Sequence, residues 1–202
     1  MFLVAICSLC PLLVFADVPD EGPDSFGIYF EVGGEHVNEL FGVAPNQLVS
    51  QYVILAGISR SSIGGWEVAF DFTPGSGLLI STTLTGSATN SVTPPNFLVG
   101  LSTPLLVPAE GYLILAEMNI LFVGGVLEWI GGPVDPSSIP GVPAYSNGED
   151  SNDLVPCHFS TDLDGLFIDD NGWTTVPLAV INQDGPVGAE SLTWESLKTM
   201  FR

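Results

Sequence analysis

Alternation with a period of two residues runs through most of this sequence, and helical periodicity is nearly absent. Successive side chains on an extended strand point to opposite faces, so the pattern describes strands with one buried face. The cleanest case is residues 66–72, where Trp66, Val68, Phe70 and Phe72 share one face opposite Glu67, Ala69 and Asp71. The longest is residues 112–122, with Tyr112, Ile114, Ala116, Met118, Ile120 and Phe122 aligned. Ile28, Phe30 and Val32 mark a short early run, with Tyr29 and Glu31 on its other face. Residues 51–58, 78–84, 97–102, 126–130 and 174–181 read as further strands. Gly64-Gly65, Pro74-Gly75, Pro94-Pro95, Glu110-Gly111, Gly124-Gly125 and Gly131-Gly132-Pro133 punctuate the runs. Short strands divided by such turns predict an all-β fold, a two-sheet antiparallel sandwich.

Two regions fall outside that pattern. Residues 133–172 are rich in Pro, Ser, Gly, Asn and Asp and read as one long acidic loop, a kind that is usually functional or mobile. Pro177 cannot donate to a ladder, which places the last strand at an edge. Residues 183–190 read as a polar link to Ser-Leu-Thr-Trp-Glu-Ser-Leu-Lys-Thr-Met-Phe-Arg at 191–202. There Trp194, Leu197 and Phe201 recur at three and four residues, with Glu195 early and Lys198 and Arg202 late, as a helix dipole prefers. A short C-terminal helical tail is expected, and at this length it needs a surface to dock on.

The opening residues 1–16 are uncharged and apolar, of signal-peptide length and well short of the roughly 20 residues of a membrane span. Val14-Phe15-Ala16 supplies a cleavage site before Asp17, although no Lys or Arg follows Met1. The expected organisation is a signal peptide at 1–16, one sandwich domain at 17–182, and a linker and tail at 183–202. Cys7 and Cys10 leave with the leader, so Cys157 has no internal disulfide partner and reads as a small buried apolar residue. No Asn-x-Ser/Thr sequon occurs, which favours a bacterial source. Twenty-three Asp and Glu against three Lys and Arg give a net charge of −20. Such a surface repels phosphate backbones and anionic lipid, so nucleic-acid binding is not expected. Its natural companions are cations or a basic protein surface. After the leader no other stretch is long and apolar enough to span a membrane.

The stretch Gly65-Trp66-Glu67-Val68-Ala69-Phe70-Asp71-Phe72 resembles the third-strand pattern of cohesin modules. Phe97-Leu98-Val99-Gly100-Leu101 and the run from Gly111 through Phe122 are similar to that family's later core strands. The resemblance implies a cohesin-like or jelly-roll-style sandwich. Cohesins bind dockerin modules through one sheet face, and no residue signature of that interface stands out in this sequence. Gly27-Ile28-Tyr29-Phe30, the segment from Ser137 through Tyr145, and the ending from Trp194 to Arg202 resemble an uncharacterised family of secreted proteins from environmental bacteria. No activity transfers from that family.

The only histidines are His36 and His158, and neither a Gly-x-Ser-x-Gly elbow nor a His-Glu-x-x-His motif is present. Cys157 and His158 are adjacent, so an extended backbone turns them to opposite faces and separates a thiol from its base. Glu67 and Asp71 read as a solvated strand face. Calcium is a sharper possibility. Asp162, Asp164, Asp169 and Asp170, with Asn171, crowd one stretch, and Glu149, Asp150, Asn152 and Asp153 form a second. Flexible acidic loops can supply calcium's six to eight oxygens, but Leu166 and Phe167 break EF-hand spacing, and a solvated acidic loop is the alternative. Trp129 and Trp173 flank the long loop and are the candidates for stacking on sugar rings, while Trp66 reads as core. The chain therefore reads as a secreted or cell-surface, non-catalytic binding or structural module acting on an extracellular protein. The alternative is a carbohydrate-binding module for a surface polysaccharide, with calcium as a conceivable aid.

Overall fold

The computed structural model describes residues 22–31, 36–160 and 167–182. The expected leader at 1–16, the linker and the tail helix lie outside the described residues.

Thirteen strands are described: β1 (Ser25–Tyr29), β2 (Glu39–Leu40), β3 (Gln47–Ala56), β4 (Ser62–Phe72), β5 (Gly77–Leu84), β6 (Ala88–Asn90), β7 (Phe97–Leu106), β8 (Tyr112–Phe122), β9 (Leu127–Gly132), β10 (Ala144–Asn147), β11 (Leu154–Pro156), β12 (His158–Phe159) and β13 (Ala179–Ile181). No helix occurs among the described residues, and none there is long and apolar enough to cross a membrane.

The strands form two sheets. The smaller runs β12-β1-β3-β8-β5, and the larger runs β11-β10-β4-β9-β13-β2, with β7 on β4 and β6 on β7. Strand β4 is the hub of the larger sheet, because residues 62–68 pair with β7, 63–67 with β10 and 69–72 with β9. The inner faces meet in one core. From the smaller sheet come Phe26, Ile28, Val53, Met118, Ile120 and Phe122, and from the larger Trp66, Val68, Phe70, Phe97 and Trp129. Alternation positions these side chains: in β8 each of Met118, Ile120 and Phe122 is buried, while Glu117, Asn119 and Leu121 between them are only partly so.

The all-β, two-sheet architecture agrees with the sequence reading, and four details differ. Pairing is mixed, since β1–β12 and β13–β2 are parallel. The first strand is 25–29, with all five residues buried, and not a run centred on Phe30. The stretch 133–172 is not one loop. It contributes β10, β11 and β12, two of which extend the larger sheet and one of which closes the smaller. Pro177 precedes the last strand, and β13 lies between β9 and β2, not at an edge.

Candidate functional site

On β4 the residues pointing away from the core are Gly65 and Glu67, since Trp66 and Val68 between them are buried in it. Gly65 pairs with Gly100 of β7 and with Ser146 of β10, and Gly100 in turn pairs with Thr89 of β6. The next row joins Ala144, Glu67 and Leu98. At Gly65 a Cβ would meet the Val99 carbonyl oxygen at 2.7 Å, so that glycine serves the close approach of β7. The missing side chain at Gly100 instead leaves a trough on the sheet's outer face. Its volume is about 250 Å³, lined by Gly65, Glu67, Leu98, Gly100, Ser146 and Leu154 among others. A Cβ on Gly100 would meet nothing within 4 Å, so the trough is open above that residue. Leu154 on its rim is 38 % exposed.

Glu67 is not the solvated carboxylate that alternation suggested. It is 4 % exposed, because Ser138 of the 133–142 segment covers it. The backbone N–H of Ser138 donates to Oε1 at 2.7 Å and its hydroxyl donates to Oε2 at 2.7 Å. A buried carboxylate requires such donors, and the pair ties the crossing segment to the trough wall.

A second polar assembly lies near the trough. Arg60 donates from Nε to Asp153 Oδ2 at 2.8 Å and from Nη2 to Oδ1 at 3.2 Å, and Asn147 Nδ2 adds a bond to Oδ2 at 3.1 Å. The Arg60 hydrogen bond, then that of Asn147, holds the Asp153 carboxyl below its usual range. Asp150 Oδ1 accepts from the backbone N–H of Asn152 at 3.0 Å. The Glu149–Asp153 cluster is thus a turn organised by one arginine.

The candidate calcium residues divide. Asp162 and Asp164 lie outside the described residues. Asp169 and Asp170 are exposed. Asp169 Oδ1 accepts from the backbone N–H of Asn171 at 2.8 Å and of Trp173 at 2.9 Å, with the Trp173 bond the leading cause of its lowered pKa. That carboxylate closes its own loop. Among the described residues no three ligating side chains converge on one point.

Of the candidate tryptophans, Trp129 is fully buried and packs on Phe72 with ring centroids 4.7 Å apart. It therefore cannot offer a face to a sugar, which corrects the expectation of exposure. Leu127 and Trp129 alternate with Glu128, and that alternation marks Trp129 as inward-facing from sequence alone. Trp173 is half-buried, its indole lying over Gly132 so closely that a Cβ there would not fit.

Cys157 is buried, its thiol pKa raised well above the ordinary value chiefly by desolvation, while its neighbour His158 is exposed. His36 packs edge-on between Tyr29 and Tyr112, at centroid distances of 5.7 and 5.1 Å. These placements hold structural roles and assemble no nucleophile with a base.

No protein-family model matches the sequence, and no curated protein matches it. Solved structures to which the chain is similar are cohesin modules. The sixth cohesin of Acetivibrio cellulolyticus scaffoldin B, in complex with a Cel5 dockerin, shares 14 % identity over 80 % of this chain and 99 % of its own, with a TM-score of 0.47. The cohesin module of a Clostridium perfringens family 33 glycoside hydrolase shares 12 % identity over 68 % of this chain and 98 % of its own, with a TM-score of 0.42. The third cohesin ScaC of A. cellulolyticus, in complex with the ScaB dockerin, shares 11 % identity over 60 % and 94 %, with a TM-score of 0.35. Likeness at this level says nothing of what this chain binds.

Proposed function

We propose that this chain is an exported, non-catalytic module that binds a protein partner through the trough on the outer face of the larger sheet. The observation that carries the reading is Gly100, a glycine inside β7 whose missing side chain opens onto the trough with nothing within 4 Å. Glycine inside a strand sacrifices packing and backbone order, and it recurs where another backbone or a ligand must come close. At about 250 Å³ the trough falls below the roughly 300–1,000 Å³ of small-molecule pockets. It suits one or two side chains of a partner seated between Leu98 and Leu154. A chain of net charge −20 favours a partner with a basic rim. Export rests on the apolar opening at 1–16. The resemblance of the strand motifs to cohesins makes a dockerin the first partner class to try. With Trp129 in the core, carbohydrate stacking would fall to Trp173 alone.

Calorimetric titration of the chain and its Gly100→Tyr variant with dockerin modules tests the proposal. The new side chain enters open space, so the fold is expected to persist while affinity drops by about tenfold or more, as for loss of a well-packed interface contact. Equal affinity for both proteins would sink the trough as the contact face. Binding to polysaccharide but to no dockerin would turn the reading to the carbohydrate class.

A further inference from the structure

The opposite outer face carries a different feature. Leu48 of β3 pairs with Leu121 of β8, which pairs with Leu78 of β5, so three leucines form one row across the smaller sheet. Leu48 is 55 % and Leu78 58 % exposed, and Ile80, in the irregularity beside that row, is 53 % exposed. Phe41 and Val123 are also exposed, Val123 directly following the Phe122 that ends β8. Phe41 follows β2 of the larger sheet. Leu48, Leu78, Ile80 and Val123, on or directly after strands of the smaller sheet, are thus four of the eight exposed large apolar side chains among the described residues. A patch of this kind on one face calls for an occupant.

The described chain ends at the same place. Asn182 N donates to Leu40 O at 2.7 Å, its side chain donates to Val43 O at 2.7 Å, and Val43 N donates back to its Oδ1 at 2.9 Å. Three residues past Val43, Asn46 N donates to Phe122 O. Gln47 and Gly77 both pair with Phe122, one residue from the leucine row. Residues 183–190 can span roughly 26–29 Å when extended, ample against the ~10 Å that separates packed sheets. Beyond them comes a segment with Trp194, Leu197 and Phe201 at helical spacing. It has two bases, Lys198 and Arg202, against one acid, Glu195, whereas Arg60 is the sole Lys or Arg among the described residues.

We infer that residues 191–202 of this chain dock as an amphipathic helix on the Leu48–Leu121–Leu78 row of the smaller sheet, covering it in cis. The apolar stripe matches the row. The bases face an acidic body, where Glu117 stands on the same outer face two rows further along β8. A second copy of the chain is a poorer occupant, because two strongly acidic bodies repel each other.

Disulfide trapping in the full chain tests this, with Leu78→Cys combined with Leu197→Cys and the linked peptides mapped. Leu78 is exposed, so the substitution leaves the core intact. Leu48→Cys with Leu197→Cys is a second pair against the same row. Thr89→Cys with Leu197→Cys, on the opposite outer face, reports collision of a merely tethered segment. Intramolecular linkage in the first two pairs at about tenfold or more over the Thr89 pair is the expected result, as local concentration on a docked surface requires. Equal linkage in all three pairs, linkage between two chains, or none would each overturn the inference.

Discussion

The phenol hydroxyl of Tyr145 donates a 2.6 Å hydrogen bond to Asp24 Oδ1 in the interior of the sandwich. The same carboxylate oxygen accepts from Ser59 N at 2.8 Å. The backbone of Asp24 bonds to Gly57 O through its N–H and to His158 N through its carbonyl, both at 3.0 Å. Asp24 is held at φ 52°, in the left-handed region. One residue thus joins the start of β1, the turn after β3, strand β10 and strand β12. Tyr145→Phe removes the buried donor and leaves the carboxylate with less compensation for its burial. Equilibrium unfolding in urea is expected to show a loss of about 1–3 kcal/mol with an unchanged denaturant slope. A neutral result would mean that the chain is not tied together at this node.

Alkaline pH should act through the same tyrosine. Burial, and then the bond to Asp24, raises the Tyr145 phenol well above its ordinary range. Above about pH 10 an unfolded tyrosine releases its proton while the folded one keeps it, so the folded state binds more protons and stability falls as pH rises. Cys157 acts in the same direction, beginning near its unfolded pKa of about 8.5. Tyr145→Phe should make the alkaline decline shallower, by up to about 1.4 kcal/mol per pH unit. In the native protein the Cys157 thiol should resist a thiol reagent, reacting only as the chain unfolds. Rapid labelling without unfolding would contradict its burial.

The long strands were legible because their signal is local. In β4 Trp66, Val68 and Phe70, and in β8 Ala116, Met118, Ile120 and Phe122, enter the core at every second residue, so those inward faces could be read directly. Tyr112 and Ile114 could not, because a register shift beside them turns them into a separate cluster with Tyr29 and Ile54. The short strands were not. β10, β11 and β12 span two to four residues, too few for a period to register, and exist because β4 and β1 offer edges to pair with. The site was partly visible in the same sense. Gly65 and Gly100 could be seen as glycines within strand patterns, but their pairing depends on register between segments thirty-five residues apart. The burial of Glu67 was invisible, because the group that covers it lies seventy-one residues away.

That covered carboxylate gives a graded test. Glu67→Gln keeps an acceptor for the Ser138 N–H, and its amide can donate to the Ser138 hydroxyl oxygen. Glu67→Leu leaves both Ser138 donors facing an apolar group. The leucine variant should lose about 1–3 kcal/mol and the glutamine variant clearly less, compared by thermal unfolding at neutral pH. Equal losses in the two variants would show that the negative charge itself, which both remove, and not the pair of hydrogen bonds, holds the 133–142 segment.

On the acid side the exposed pairs make a smaller contribution. The carboxyls of Asp153 and Asp169 are lowered, by the Arg60 side chain and by the Trp173 backbone N–H respectively. A depressed folded pKa gives stability that is present above the unfolded value and lost as pH falls through the folded one. The loss belongs below about pH 4. Added salt should weaken the Arg60–Asp153 part of it and leave the Asp169 part in place, since backbone donors carry no net charge to screen. A melting temperature that responds to salt equally in the parent and in Arg60→Gln at neutral pH, where Asp153 is ionised, would contradict this assignment.

Gly132 and Trp173 make the sharpest packing prediction. The indole lies so close over Gly132 that an added methyl would meet the fused ring atoms. From the other side Asp169 holds the tryptophan backbone through bonds to both its N–H and its carbonyl. Gly132→Ala must therefore push the ring outward against a fixed backbone, at a cost of about 1–3 kcal/mol, with tryptophan emission shifted to the red. In a Trp173→Ala background the obstruction is gone, so the same glycine substitution should cost almost nothing. The coupling between the two changes, measured as a double-mutant cycle, is then of the same size as the single Gly132→Ala effect. Simple additivity would place the strain elsewhere in β9, with Phe159 and Leu178 against Gly131 as the next contacts to alter.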